Sequence, residues 1–172
     1  MKKIFLPLDY NQVKKLKAGD EVLLSGELYT ARDQAHKRLV DLLKKGRPLP
    51  VDLRGAVLYY CGPTAARPGR IIGSCGPTTS SRMDAFTPAL LEAGAAAMIG
   101  KGCRSPEVIQ AIRKYGAVYF IAAGGAGAYL STKVKKATVA GFTDLGPEAV
   151  YRLEVKDFPV MVGVDAKGRS IY

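Results

Sequence analysis

Three short apolar runs, each halted at a glycine-bearing turn, constrain this chain more than any other feature. Ala56–Tyr60 ends at Cys61-Gly62-Pro63, Ala96–Ile99 at Gly100-Lys101-Gly102, and Ala117–Ala122 at Gly124-Gly125-Ala126-Gly127. Continuous apolar runs of this length read as buried strands. Helical patterns separate them. Arg82–Ala93 puts Met83, Phe86, Leu90 and Leu91 on one face. Pro106–Tyr115 starts with Ser105 as cap and proline in the favoured first position. This order predicts an α/β fold with a mostly parallel central layer.

Both ends add β elements. Lys3–Leu6 and Glu21–Tyr29 read as strands, the second with Gly26 as a bulge. A helix over Arg32–Lys45 follows, with Thr30 as its N-cap candidate, Ala35, Leu39, Leu42 and Leu43 on its apolar face, and Gly46 as its stop. Ala137–Ala140 is a further strand. Tyr151, Leu153 and Val155 alternate with charged residues, Val160–Val164 is continuously apolar, and Asp165–Gly168 turns the chain into Arg169–Tyr172. The 172 residues read as a single domain over 1–172.

Charge narrows the function. The net charge is +11, from 26 Lys and Arg against 15 Asp and Glu. Nucleic acid, an anionic membrane or a small anionic substrate would each suit such an excess. The basic clusters, such as Lys14-Lys15-Leu16-Lys17 and Lys133-Val134-Lys135-Lys136, lack the interleaved aromatics of a base-stacking surface. No apolar stretch reads as a membrane span, and that of the N-terminus is too short for a signal peptide. The expectation is a cytoplasmic protein that binds neither nucleic acid nor membrane. Cys61, Cys75 and Cys103 form no CxxC pair and His36 is the only histidine, so neither a closed zinc site nor a disulfide framework is expected. Three cysteines can hold three irons of a [4Fe–4S] cluster, but small buried thiols are the reading preferred here.

Three segments carry candidate chemistry. Gly76-Pro77-Thr78-Thr79-Ser80-Ser81-Arg82 follows an extended segment and opens a helix, offering backbone N–H groups, four hydroxyls and a guanidinium to an anion. Gly100-Lys101-Gly102 stands at the end of a buried strand, where α/β sheets bind ligands; its glycine spacing is not that of a P-loop. Arg32 and His36 share a helix face at i and i+4, and Arg32 opposes the dipole of the helix it opens.

These segments resemble, in order, those of one family. Thr30–Arg38 (TARDQAHKR), Tyr59-Tyr60-Cys61-Gly62-Pro63, Gly76–Asp84 (GPTTSSRMD), Ile99-Gly100-Lys101-Gly102, and Asp144–Ala149 with Phe158-Pro159 are similar to motifs of the β subunit, or C-terminal domain, of class I fumarases and L-tartrate dehydratases. The resemblance implies a swivelling β/β/α-type domain. It also implies a partner α subunit holding an oxygen-sensitive [4Fe–4S] cluster on its own cysteines, in a hetero-oligomer such as α2β2, with no metal bound by this chain. It assigns Arg32, Arg82 and Lys101, with Thr79 beside them, to the carboxylates of a small dicarboxylate substrate, and Thr78 and His36 to catalysis, Thr78 as a base at carbon 3. The expected reaction is the reversible hydration of fumarate to malate. L-tartrate dehydration and a non-catalytic dicarboxylate-binding module are the other readings.

Overall fold

A computed structural model describes residues 1–172 and shows a seven-stranded sheet that closes on itself. Strands β1 (Lys2–Phe5), β2 (Glu21–Thr30), β3 (Val57–Tyr59), β4 (Ala97–Gly100) and β5 (Val118–Ile121) pair in parallel in that order. The long β7 (Val150–Val164) runs antiparallel to β5 and also to β2, which joins the two sides into a ring. Strand β6 (Val134–Gly141) flanks β7 outside the ring. The α/β class with a mostly parallel layer and β elements from both ends is as the sequence indicates.

Alternation along the strands divides the interior into two cores. Val57 and Tyr59 of β3, Ile99 of β4 and Phe120 of β5 face the inside of the ring with Leu24, Leu28, Phe158 and Val162. Their neighbours Leu58, Tyr60, Met98 and Tyr119 point outward, beneath helices α2 (Asp33–Lys44), α3 (Thr87–Glu92) and α4 (Pro106–Tyr115). Both faces of these strands are buried, which explains why they read as continuous apolar runs. Helix α4 is bounded as expected: Ser105 Oγ accepts from Val108 N, and Gly116 takes the left-handed conformation that ends the helix.

Several local expectations change. Thr30 does not cap α2. It is the last residue of β2, fully buried, and its hydroxyl donates to Ala149 O and accepts from Tyr151 N. Arg32 is the N-cap residue and makes no side-chain cap bond. The buried stripe of α2 is Ala35, His36, Leu39 and Val40, with Leu42 and Leu43 only half-buried. The helix expected over Arg82–Ala93 is broken into a 3₁₀ turn, Ser80–Met83, and α3. Asp84 stands at the junction with helical backbone angles, and its carboxylate accepts from Arg104 Nε and Ser105 N. Helix α1 (Tyr10–Lys15) carries a capping box between Asp9 and Gln12. Gly26 does mark a bulge in β2. The two C-terminal strands are one, continuous through Asp157 and Pro159.

Candidate active site

Two of the three predicted site segments leave the carboxyl end of a parallel strand, beside two glycine-bearing turns that do the same. Arg32 follows β2, Gly62 follows β3, Lys101 follows β4, and Gly124–Gly127 follows β5, leading into α5 (Gly127–Ser131). The Thr78–Arg82 segment is drawn across this edge by backbone bonds. Thr78 N donates to Tyr60 O at 2.7 Å, Ser80 N donates to Lys101 O at 3.0 Å, and Thr79 bridges to Lys101 in parallel register. Five chain segments thus converge on one rim, as ligand sites in α/β sheets do.

Arg32 and Arg82 meet at Asp33. Arg82 Nε donates to Asp33 Oδ1 at 2.9 Å, and Arg32 Nη2 lies 3.7 Å from Asp33 Oδ2. The Glu148 carboxylate approaches Arg32 Nε at 3.9 Å. Arg32 Nε, Asp33 Oδ2 and Glu148 Oε1 are all shielded from water and have no hydrogen-bond partner. Arg82 engages only its Nε, leaving both terminal nitrogens for a ligand, and its side chain is half exposed. Arg32 packs on Gly62, where a Cβ would sit 3.0 Å from Arg32 Cδ. Lys101 lies along Gly124 and its ammonium has no ion pair.

The four hydroxyls do different things. Ser80 is buried; its Oγ accepts from Lys101 N at 3.0 Å and meets Tyr119 OH at 2.9 Å. Thr78 is half-buried and Thr79 exposed on the rim. The helix-dipole argument for this segment fails, because the helix it opens is a single 3₁₀ turn of four residues. Side-chain cations supply the positive potential instead.

His36 is fully buried beneath Arg32. Its Nδ1 lies 2.8 Å from Arg32 O, and its ring stands edge-on to Tyr60. Burial pushes its pKa down to about 4, so it is neutral near pH 7. The sequence reading did not single out Asp33, Glu148 or Arg104. Asp33 and Glu148 lie inside the quoted motifs, but only the fold shows that they face the arginines.

The profile of the family described as Fumarase C-terminus matches residues 2–172. The chain belongs to this family. A Methanocaldococcus jannaschii protein provisionally named L(+)-tartrate dehydratase subunit beta is 40% identical over all of this chain and 91% of its own length. Fumarate hydratase 2 of Leishmania major is 37% identical over 94% of the chain, and the anaerobic class I fumarate hydratase of Escherichia coli K12 is 34% identical over 94%. The chain spans only 29% and 30% of those two relatives. Within the family, this chain's own donors do not suit an iron–sulfur cluster. Cys61 and Cys75 are buried with their sulfurs 3.0 Å apart, Cys103 is exposed elsewhere, and no three His, Cys, Asp or Glu side chains are arranged to hold a metal ion.

Two predictions arise here. A methyl group on Gly100 would overlap Ser80 Oγ and come within 2.9 Å of the Tyr60 ring. Ser80 can turn away only by giving up its bonds to Lys101 and Tyr119. Gly100→Ala is therefore expected to cost about 2 kcal/mol, measured by urea denaturation; an unchanged midpoint would show that the rim tolerates a side chain. Ellman's reagent is expected to titrate only Cys103 in the native protein and all three thiols after denaturation. Rapid native reaction of two thiols or more would contradict the burial of the Cys61–Cys75 pair.

Proposed function

We propose that this chain is the β component of a two-subunit hydro-lyase and provides the cationic half of a composite site for a small dicarboxylate. One observation carries the reading: Arg32 and Arg82 converge on a shared carboxylate, Asp33, on the rim where Lys101 presents an unpaired ammonium. Asp33 already occupies one face of the two guanidinium groups, much as a substrate carboxylate would. The remaining nitrogens of Arg32 and Arg82 and the Lys101 ammonium take the carboxylates of fumarate or malate, with Thr79 as an auxiliary donor. The names of the relatives, which are fumarate hydratases and a tartrate dehydratase subunit, agree with this substrate class.

In the proposed reaction these cations stabilise the negative charge that gathers on a carboxylate as the carbon 3 proton departs. Thr78 stands beside them with a hydroxyl that makes no internal hydrogen bond. An alcohol is a weak base unless its proton is removed as it acts, so Thr78 serves first to orient the substrate, and as proton carrier only when the assembled site activates it. His36 acts from below, through the Arg32 backbone. Polarising the leaving hydroxyl is a task none of these residues can perform. We assign it to a [4Fe–4S] cluster on the α subunit, whose open iron would supply Lewis acidity.

The test is reconstitution. The chain by itself is expected to show no hydratase activity. Anaerobic mixing with a cluster-bearing α subunit is expected to produce fumarate hydration. Activity of the lone chain, or a folded, cluster-loaded mixture without activity on any dicarboxylate, would overturn the proposal. The 40% identity to the tartrate dehydratase subunit favours L-tartrate as the second substrate to assay.

A further inference from the structure

Five buried side-chain atoms lack a hydrogen-bond partner: Arg32 Nε, Asp33 Oδ2, Glu148 Oε1, His36 Nε2 and Arg104 Nη1. The first three line the candidate site. The last two lie beneath it, and the hydro-lyase reading gives Arg104 no task. The two atoms are chemically complementary. A backbone carbonyl only accepts, so His36 Nδ1 must carry the proton shared with Arg32 O, and Nε2 is left with a lone pair. Arg104 Nη1 has only protons to give. Both groups pack on the same ring: the imidazole centroid lies 5.1 Å from that of Tyr60, and the guanidinium carbon 5.3 Å from it.

Arg104 is otherwise fixed in place. Its side chain has no exposure. Nε donates to Asp84 Oδ1 at 2.7 Å, Nη2 donates to Thr87 Oγ1 at 2.8 Å, and the guanidinium lies 4.9 Å from the Tyr119 ring. Only Nη1 is unanchored. A buried donor left unpaired costs about 1–3 kcal/mol, and native proteins rarely leave one so.

We infer that Arg104 is a positioning residue whose Nη1 reaches His36 Nε2 across a single internal water, which accepts from Nη1 and donates to Nε2, and that His36 transmits this constraint to the backbone of Arg32. The connection runs from Asp84 through Arg104 and His36 to the Arg32 carbonyl. Asp84 stands two residues after Arg82, and Arg32 caps α2. One buried cation therefore sets the position of both arginines against each other. The positioning role rests on the proposed carboxylate-binding function of Arg32 and Arg82; the buried connection does not.

His36 is the only histidine, so its two ring nitrogens are unambiguous in a nitrogen-15 NMR spectrum. The expected result is one tautomer, protonated at Nδ1, with Nε2 as a hydrogen-bonded lone pair. Arg104→Lys keeps the charge but loses the planar fork. It is expected to move the Nε2 resonance toward that of a free lone pair while Nδ1 stays. A proton on Nε2 in the unaltered chain, or an unmoved Nε2 resonance in folded Arg104→Lys, would overturn the inference. Should Arg104→Lys fail to fold, Asp84→Asn slackens the same guanidinium and is read the same way. In the reconstituted enzyme, Arg104→Lys is expected to raise KM for the dicarboxylate about tenfold, with a smaller change in kcat. A moved resonance with an unchanged KM would also reject the positioning role. Failure of the carboxylate-binding reading shows up elsewhere, as an Arg82→Ala enzyme with unaltered KM, and leaves the spectrum as it is.

Discussion

Arg82→Ala in the reconstituted enzyme is expected to lower kcat/KM for fumarate about a hundredfold, equivalent to ~2.7 kcal/mol of transition-state stabilisation. The argument begins with geometry. Arg82 spends only Nε on Asp33 and presents its two terminal nitrogens to the rim. A carboxylate held there, in a site shut from water by the partner, would take charge-assisted bonds from both. Alanine removes them and also frees Asp33, which then places a negative charge beside an anionic substrate. Arg82→Lys restores the charge but not the planar pair of donors, so it should recover only part of the loss. Circular dichroism of the variants should match that of the parent, because the Arg82 side chain is half exposed. A folded Arg82→Ala chain that supports full activity would remove this residue from the site.

The second large effect concerns acid. Folding buries His36 completely and pushes its pKa from the ordinary 6.5 down to about 4, with the loss of hydration as the main cause and the nearby Arg104 charge adding to it. Between these values the unfolded chain holds a proton that the folded chain does not. Stability therefore falls as pH drops. The contribution of neutral His36 is complete above pH 6.5 and fades toward pH 4, by about 3 kcal/mol in all. The carboxyls of Asp20, Asp144 and Asp165 are held below their ordinary value of 3.8, so their losses fall at lower pH. Urea denaturation from about pH 7 to about pH 4.5 should show this slope in the parent chain and a much flatter one in His36→Gln. Equal slopes in the two proteins would mean that His36 reaches water in the folded state.

Features fixed by neighbouring residues were legible in the sequence. The apolar runs became β3, β4 and β5, and the Ser105-Pro106 start and Gly116 stop of α4 follow from local rules. The positions of Arg32 and Lys101 at strand ends were readable for the same reason, whereas Thr78, Thr79 and Arg82 reach the rim through backbone bonds to Tyr60 and Lys101. What escaped depends on residues far apart. Asp33 joins the site through Arg82, 49 residues away, and Glu148 through Arg32. Arg104 reads as a surface charge, since charged side chains are almost never fully buried unless paired, and its pairing with Asp84 is visible only in the fold. The same Asp84 stands where a helix that the apolar periodicity alone would continue is interrupted. Strand β7 runs through Asp157 and Pro159, where local signals argued for a stop, because its partners on both sides override them.

The closure of the ring by β7 bears on how the protein comes into being. The pairing joins Glu21–Tyr29 to Arg152–Met161, so the last segment of the sheet must find one of the first. Contacts of such wide separation carry a large loop-closure cost and are characteristic of folding over milliseconds to seconds rather than microseconds. Until they form, β2 lacks a neighbour along one whole side and the Arg32 end of the rim has no floor. A nascent chain thus carries all of its proposed site residues before the rim that gathers them exists, and its exposed β2 edge in that interval is the natural point of attack for aggregation.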